Sequence, residues 1–344
     1  MLKIEDTPLV SIGVVVLNRE WIIRETLNSI LSQTYPHEKI FILVVDGGSH
    51  DKTVETARKI LEKADFCGYE IIVQKCNIPE GRNICIERMI GELLLFWDSD
   101  ILMDRDAIKN LVDTLKNFKG DIVTAETCFI NADSINKAIS KMKTELQSKI
   151  RSATYEAQLV PASKMGHTLI RREVFNYVRF DPDLTLYEDL DFSVRAREKG
   201  FKILKNPGIL AFDINLENEY YSDIFTEMPL KKALKGLRKK AKAKILSFNF
   251  TINIKDFIKY FWENKRYLFY MGYLPAIILS FVGFCIRSLF FSTAFLVYLG
   301  GYILYQLKKR GVKKGLTIFV KSLLVGLPLS FLMIYYFVKN YLNK

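Results

Sequence analysis

Along the first two hundred residues, short apolar runs alternate with stretches whose apolar positions recur every three or four residues. The runs at 9–17, 40–45, 70–74 and 92–97 are brief, rich in Val, Ile and Leu, and bounded by polar or glycine-containing segments, which predicts buried strands. Between them, 21–33, 51–64 and 82–91 carry helical spacing, with Ser49 or Asp51 placed to cap the second helix. This strand, helix, strand order predicts an α/β fold on a mainly parallel, doubly wound sheet. Its ligand site is expected at the carboxyl ends of the strands.

The pattern then changes, giving a soluble domain over 1–225, an amphipathic stretch over 226–264 and a helical membrane region over 265–344. Within the middle stretch, Leu230, Leu234, Leu237, Ala241 and Ile245 fall on one helical face while lysines fill the other, as in a helix lying on a membrane surface. A second amphipathic segment, 252–262, ends in Trp262, a residue suited to the bilayer interface. Residues 267–286 and 288–307 contain no charge, and each has the ~20 residues needed to cross a bilayer. A third run, 316–338, is interrupted only by Lys321, close enough to its start to snorkel. Lys265 and Arg266 precede the first run, and Lys308, Lys309 and Arg310 follow the second. The positive-inside rule then predicts a multi-pass protein of the cell membrane, with its N-terminal domain in the cytoplasm. The alternative is a buried helical hairpin in a soluble protein.

Charge sharpens this reading. The formal net charge of +12 over 344 residues calls for an anionic partner. Much of the excess lies between 231 and 244, directly before the apolar tail, so lipid headgroups are expected and a specific nucleic-acid site is not. The five cysteines form no Cys-x-x-Cys pair, and no histidine stands at zinc-ligand spacing, so they are read as reduced and structural. The charged residues 1–7 predict no secretory leader.

Candidate chemistry lies at the predicted strand ends. The run at 92–97 delivers Asp98-Ser99-Asp100, whose carboxylates at i and i+2 can face one divalent cation, although the same tripeptide also makes ordinary turns. The run at 40–45 delivers Asp46-Gly47-Gly48-Ser49 into a loop before a helix. With Leu17-Asn18-Arg19-Glu20, Gly81-Arg82-Asn83, Gly166-His167, Arg171-Arg172 and Glu188-Asp189-Leu190-Asp191, these motifs stand in one order over about 210 residues. In that order the chain resembles the inverting glycosyltransferases of family 2, and its architecture is similar to that of membrane-anchored polyprenyl-phosphate sugar synthases.

The resemblance implies that Asn18, Glu20, Asp46, Arg82 and Asp98 surround a nucleotide, and that Asp100 with Asp98 holds a divalent metal, Mg or Mn. It implies Asp189 as the general base, with Glu188 second, and His167, Arg171 and Asp191 as contacts to acceptor or phosphate. Each position also has a plainer reading: an Asx turn at Asp46, acids favoured by a helix N-terminus at 188–191, and a buried hydrogen-bonding histidine at 167. Leu17 departs from the tyrosine frequent at that place, and the Gln-x-x-Arg-Trp signature of processive synthases is missing. The expected activity is therefore transfer of one sugar from a nucleotide-diphosphate sugar to a lipid-linked acceptor, a saccharide hydroxyl or a polyprenyl phosphate. The alternative is a non-catalytic nucleotide-sugar-binding or scaffolding subunit of a membrane complex. The membrane region leaves room for a homo-oligomer.

Overall fold

The computed structural model describes residues 7–150, 156–184, 187–216, 300–305, 307–308 and the single positions 312, 316, 320, 324, 332 and 335. The chain divides into two compact units, Met1–Tyr221 and Ser222–Lys344. In the second unit, residues 300–305 are helical. Among the described residues no helix is long and apolar enough to cross a membrane. The amphipathic stretch, the first predicted span, and most positions of the second and third lie outside the described residues.

In the first unit the elements run β1 (Val10–Val16), α1 (Ile23–Leu31), β2 (Ile40–Asp46), α2 (Thr53–Leu61), β3 (Gly68–Val73), α3 (Ile78–Arg88), β4 (Leu93–Trp97) and β5 (Ile101–Met103). They continue with α4 (Ala107–Asn117), β6 (Ile122–Ala132), α5 (Ile135–Ile150), β7 (Gln158–Leu159), β8 (His167–Arg171), α6 (Glu188–Glu198) and β9 (Ile203–Leu216). All nine strands join one sheet, ordered β3-β2-β1-β4-β8-β6-β9-β5, with β7 paired to β9. The strands β1, β2 and β4 are buried on both faces, which explains their unbroken apolar runs. Leu27, Ile30, Leu61, Ile108 and Leu111 from α1, α2 and α4 pack on one face. Cys85, Ile86, Phe192 and Ala196 from α3 and α6 pack on the other. Truncating one of these aliphatic side chains to alanine costs about 2–5 kcal/mol.

The expected parallel arrangement holds for β3, β2, β1 and β4. The other half is mixed, because β8 inserts antiparallel between β4 and β6 while β6 and β9 are parallel. An antiparallel neighbour needs no crossover helix, so no strand–helix–strand rhythm announces β8 in the sequence. Its first residue, His167, pairs with Trp97, the last residue of β4. The reversed strand thus begins where its neighbour ends, at the edge where a ligand site is expected.

Two helix starts differ from the sequence reading. Helix α3 begins at Ile78 instead of 82: the Asn77 side chain accepts from the Glu80 N–H, Glu80 accepts from the Asn77 N–H, and Pro79 occupies the first turn. At α2, Asp51 accepts from the Thr53 N–H at 3.0 Å from just ahead of the helix, while Ser49 turns away to bond Asp46.

Candidate active site

The carboxyl ends of β1, β2 and β4 open on a cavity of about 430 Å³. Its lining includes Leu17, Arg19, Gly47, Arg82, Asp98 and Asp100. Past β1, alternate residues divide the work. Leu17 and Arg19 face the cavity, while Asn18, at φ 50°, accepts from the His50 N–H at 2.9 Å and Glu20 accepts from the Lys52 N–H at 3.2 Å. Asn18 and Glu20 therefore stitch the β1 loop to the β2 loop. Asp46 is wholly buried and accepts from the Gly48 and Ser49 N–H groups and the Ser49 hydroxyl, so its carboxylate builds the turn.

The Asp98–Asp100 turn is braced from several elements. The Asp98 N–H donates to Gly166 O at 2.8 Å, and the Ile214 N–H of β9 donates to Asp100 O at 3.0 Å. From α1, the Thr26 hydroxyl reaches Ser99 O at 2.7 Å, while Trp97 Nε1 donates to Ile101 O. Gly166 lies so close that a Cβ there would meet Asp98 Oδ2 at 2.2 Å. Only glycine lets the residue before β8 accept from the Asp98 N–H without striking the Asp98 carboxylate.

Arg82 connects the two halves of the motif set. Its guanidinium, 5% exposed, bonds Asp98 Oδ1 at 3.2 Å and Glu188 Oε1 at 2.9 Å, and lies 5.4 Å from the Phe180 ring centroid. Gly81 makes this approach possible, since a Cβ there would meet Val15 Cγ1 at 2.7 Å and push α3 off β1. Asn83 then exchanges two hydrogen bonds with the Phe180 backbone, tying α3 to the segment before α6. Burial opposes the charge on Arg82, but Asp98, Glu188 and Asp189 together hold its pKa above the ordinary value. Arg82 Nε is buried without a hydrogen-bond partner, which leaves a donor on a cavity-lining side chain.

Asp100 lies 3.6 Å from the Arg19 guanidinium. Burial, followed by the charges of Asp98 and Asp213 and opposed by Arg19, pushes its carboxyl up to about 7. Asp189 and Asp191 sit with Glu188 in the first turn of α6, and Asp191 bonds Arg195 one turn later. The remaining expected contacts do not line the cavity. His167 is buried, with Nδ1 at 3.0 Å from the Thr124 hydroxyl and Nε2 at 2.9 Å from that of Thr127, and burial lowers its pKa to about 4. It is therefore a neutral histidine inside the sheet. Arg171 pairs with Leu93, at the opposite end of β4 from Asp98, and donates to Gly120 O. Arg172 likewise donates to Met89 O and Gly91 O.

Sequence reasoning missed Arg19 as a cavity wall and Asp213 as a neighbour of the acid pair. The position of Arg19 inside a quoted motif was a usable signal. Asp213 had none, because it reaches the site only through its register opposite Ile101.

Residues 11–179 match the pattern of glycosyl transferase family 2. Glycosyltransferase AglE of Haloferax volcanii is 34% identical over 197 residues, 57% of this chain and 64% of that protein. The dolichyl N-acetyl-α-D-glucosaminyl phosphate 3-β-D-2,3-diacetamido-2,3-dideoxy-β-D-glucuronosyltransferase of Methanococcus voltae is 24% identical over 219 residues, 59% of this chain and 65% of that one. The chain thus spans somewhat less than two thirds of these relatives. Among solved structures, GalNAc-T7 with UDP, GalNAc and Mn2+ superposes with a TM-score of 0.52 at 16% identity, covering 70% of this chain and 48% of that one. The mannosyltransferase PcManGT of Pyrobaculum calidifontis, in complex with GDP-Man and Mn2+, gives 0.50 at 16% identity, covering 98% and 88%. At that identity the likeness concerns the fold. The match to glycosyl transferase family 2 thus spans residues 11–179, and within it Arg82, Asp98 and Asp100 line the cavity at the strand ends.

Proposed function

We propose that the protein is a membrane-associated, inverting glycosyltransferase that moves one sugar from a nucleotide-diphosphate sugar to a lipid-linked acceptor at the cytoplasmic leaflet. The observation that carries this reading is Arg82, a guanidinium tied to Asp98 and Glu188 on the wall of a cavity at the strand ends. A cation so placed suits a diphosphate, which is recognised by charge-assisted hydrogen bonds. Asn18, Glu20 and Asp46 shape the loops beside the nucleotide. The dolichyl N-acetyl-α-D-glucosaminyl phosphate named for the Methanococcus voltae relative, and the apolar and cationic C-terminal sequence, support a lipid-linked acceptor.

A divalent cation, Mg or Mn, fits the donor set. Asp98 and Asp100 supply two carboxylates, and burial together with the neighbouring Asp98 charge pushes that of Asp100 up to about 7 despite Arg19. Among the described residues no group of three His, Cys, Asp or Glu side chains is arranged to hold a metal alone. Two carboxylates plus substrate phosphates is a usual Mg site. When bound, the cation would neutralise charge developing on the leaving diphosphate.

Asp189 takes the proton of an acceptor hydroxyl as that oxygen forms a bond to the anomeric carbon. The bond from that carbon to the diphosphate breaks on the opposite face, and the configuration inverts. Glu188 is committed to Arg82, so it positions α6 while Asp189 acts as base. The test is release of nucleoside diphosphate by the full-length chain across UDP- and GDP-sugars, with Mg or Mn and a lipid extract. Extract-dependent release from one donor, lost in Asp189→Asn with donor binding intact, is the expected result. Normal transfer by a folded Asp189→Asn protein removes the base assignment, and silence with every donor and extract overturns the transferase reading.

A further inference from the structure

Beyond its pairing with β8, which ends at Thr124, β6 continues beside β9, whose other edge pairs with β5 at Ala211–Asp213. One face of this extension, carrying Cys128, Ile130, Phe212 and Ile214, packs against Ile135, Ile139 and Met142 of α5. Alternation puts Thr127, Phe129, Ala211 and Asp213 on the other face, with Phe129 and Asp213 directly paired across the strands. Phe129 is 53% exposed, an unusual state for a large aromatic in a sheet. The Lys164 ammonium lies 4.2 Å from its ring centroid. Lys164 is two residues before Gly166, the glycine that supports Asp98. Asp213, Asp189 and Glu126 all act electrostatically on Lys164, and Asp213 acts on Asp100, so this face adjoins both the acid pair and α6.

An exposed aromatic ring beside a carboxylate and a lysine is the chemistry that binds a sugar. The apolar C–H face of a pyranose lies on the ring, its hydroxyls meet the carboxylate, and an anionic substituent meets the ammonium. We infer that Phe129, Lys164 and Asp213 form the acceptor subsite, and that it takes a sugar ring bearing a phosphate or carboxylate. The inference rests on the transferase reading above, and it adds the class of acceptor. Charge complementarity and continuity with Asp98 and Asp100 favour a saccharide over an apolar partner, which would leave Lys164 and Asp213 desolvated and poorly matched.

The test uses the full-length chain saturated with nucleoside diphosphate, so that the donor cavity is filled. Binding of hexose 1-phosphates and the corresponding methyl glycosides of glucose, galactose, mannose and N-acetylglucosamine is followed by saturation-transfer NMR. At least one sugar phosphate is expected to bind more tightly than its methyl glycoside. Phe129→Ala should weaken both at least tenfold, Phe129→Tyr should restore them, and Lys164→Ala should remove the advantage of the phosphate. Nucleotide affinity should stay within twofold in all three variants. Binding unchanged in Phe129→Ala and Lys164→Ala, or no sugar binding while nucleotide binds, overturns the subsite. A chain that binds no nucleotide at all overturns the transferase reading instead, which separates the two failures.

Discussion

Replacing His167 with Gln removes a proton-binding group from the sheet while keeping an amide that can bond Thr124 and Thr127. His167 titrates near 4 in the folded chain against an ordinary 6.5, because burial disfavours its cation. Between those values the unfolded chain binds more protons, so stability is lost as pH falls through this window. A gap of 2.5 units at about 1.4 kcal/mol each gives roughly 3 kcal/mol by pH 4. Asp100 works in the opposite sense. Its folded value near 7 lies above the ordinary 3.8, so the folded chain binds more protons and stability is lost as pH rises from about 4 to 7. Its contribution is on the order of 3 kcal/mol. The two slopes oppose each other in the wild type. Thermal melts in EDTA from pH 4 to 7 expose them separately when each variant is compared with wild type at the same pH. His167→Gln should gain about 3 kcal/mol relative to wild type on going from pH 7 to 4, or roughly 6–12 °C. Asp100→Asn should lose a similar amount over the same interval. Constant offsets are immaterial, and curves for both variants that run parallel to wild type refute the assigned environments.

Saturating Mn or Mg should favour the Asp100 carboxylate and make the wild-type pH profile approach that of Asp100→Asn, as read from the same melts. Arg82→Met leaves Asp98 and Glu188 facing each other beneath Phe180; it should cost about 3–5 kcal/mol in urea denaturation, with Glu188→Gln recovering part of the loss. Gly166→Ala forces a methyl into the Asp98 carboxylate, so nucleoside diphosphate release should fall at least a hundredfold while circular dichroism stays unchanged. Asn77→Ala breaks the reciprocal cap of α3 and should cost about 1 kcal/mol, lowering the melting temperature by roughly 2–4 °C.

The parallel half of the sheet was legible because β1, β2 and β4 are covered on both faces and spell continuous aliphatic runs. Strand β8 was not, since His-Thr-Leu-Ile-Arg is short and half polar, and its place depends on a partner seventy residues earlier. Asp98, Asp100 and Arg82 were readable as motif residues and do line one cavity. The order of motifs could not separate groups that face the cavity from those that hold it open. Asn18, Glu20 and Asp46 spend their oxygens on neighbouring loops, a fact visible only from the hydrogen bonds. The start of α3 was within reach of the sequence, because Asn77-Ile78-Pro79-Glu80 spells a capping box. Phe129, Lys164 and Asp213 share no local pattern at all.

The reversed strand has a consequence in time. A chain emerging from the ribosome completes β1 to β4 within its first hundred residues, yet the glycine that braces Asp98 arrives at 166 and the glutamate that holds Arg82 at 188. Until then Arg82 lacks both Glu188 and the Phe180 ring that covers it, so its guanidinium stands in water. The segment that takes Arg82 out of water thus brings its second acid with it, since Phe180 and Glu188 lie eight residues apart at the entry to α6, the last described helix of the first unit. The turn at Asp98 and the setting of Arg82 are thereby completed only once residues 166–188 exist.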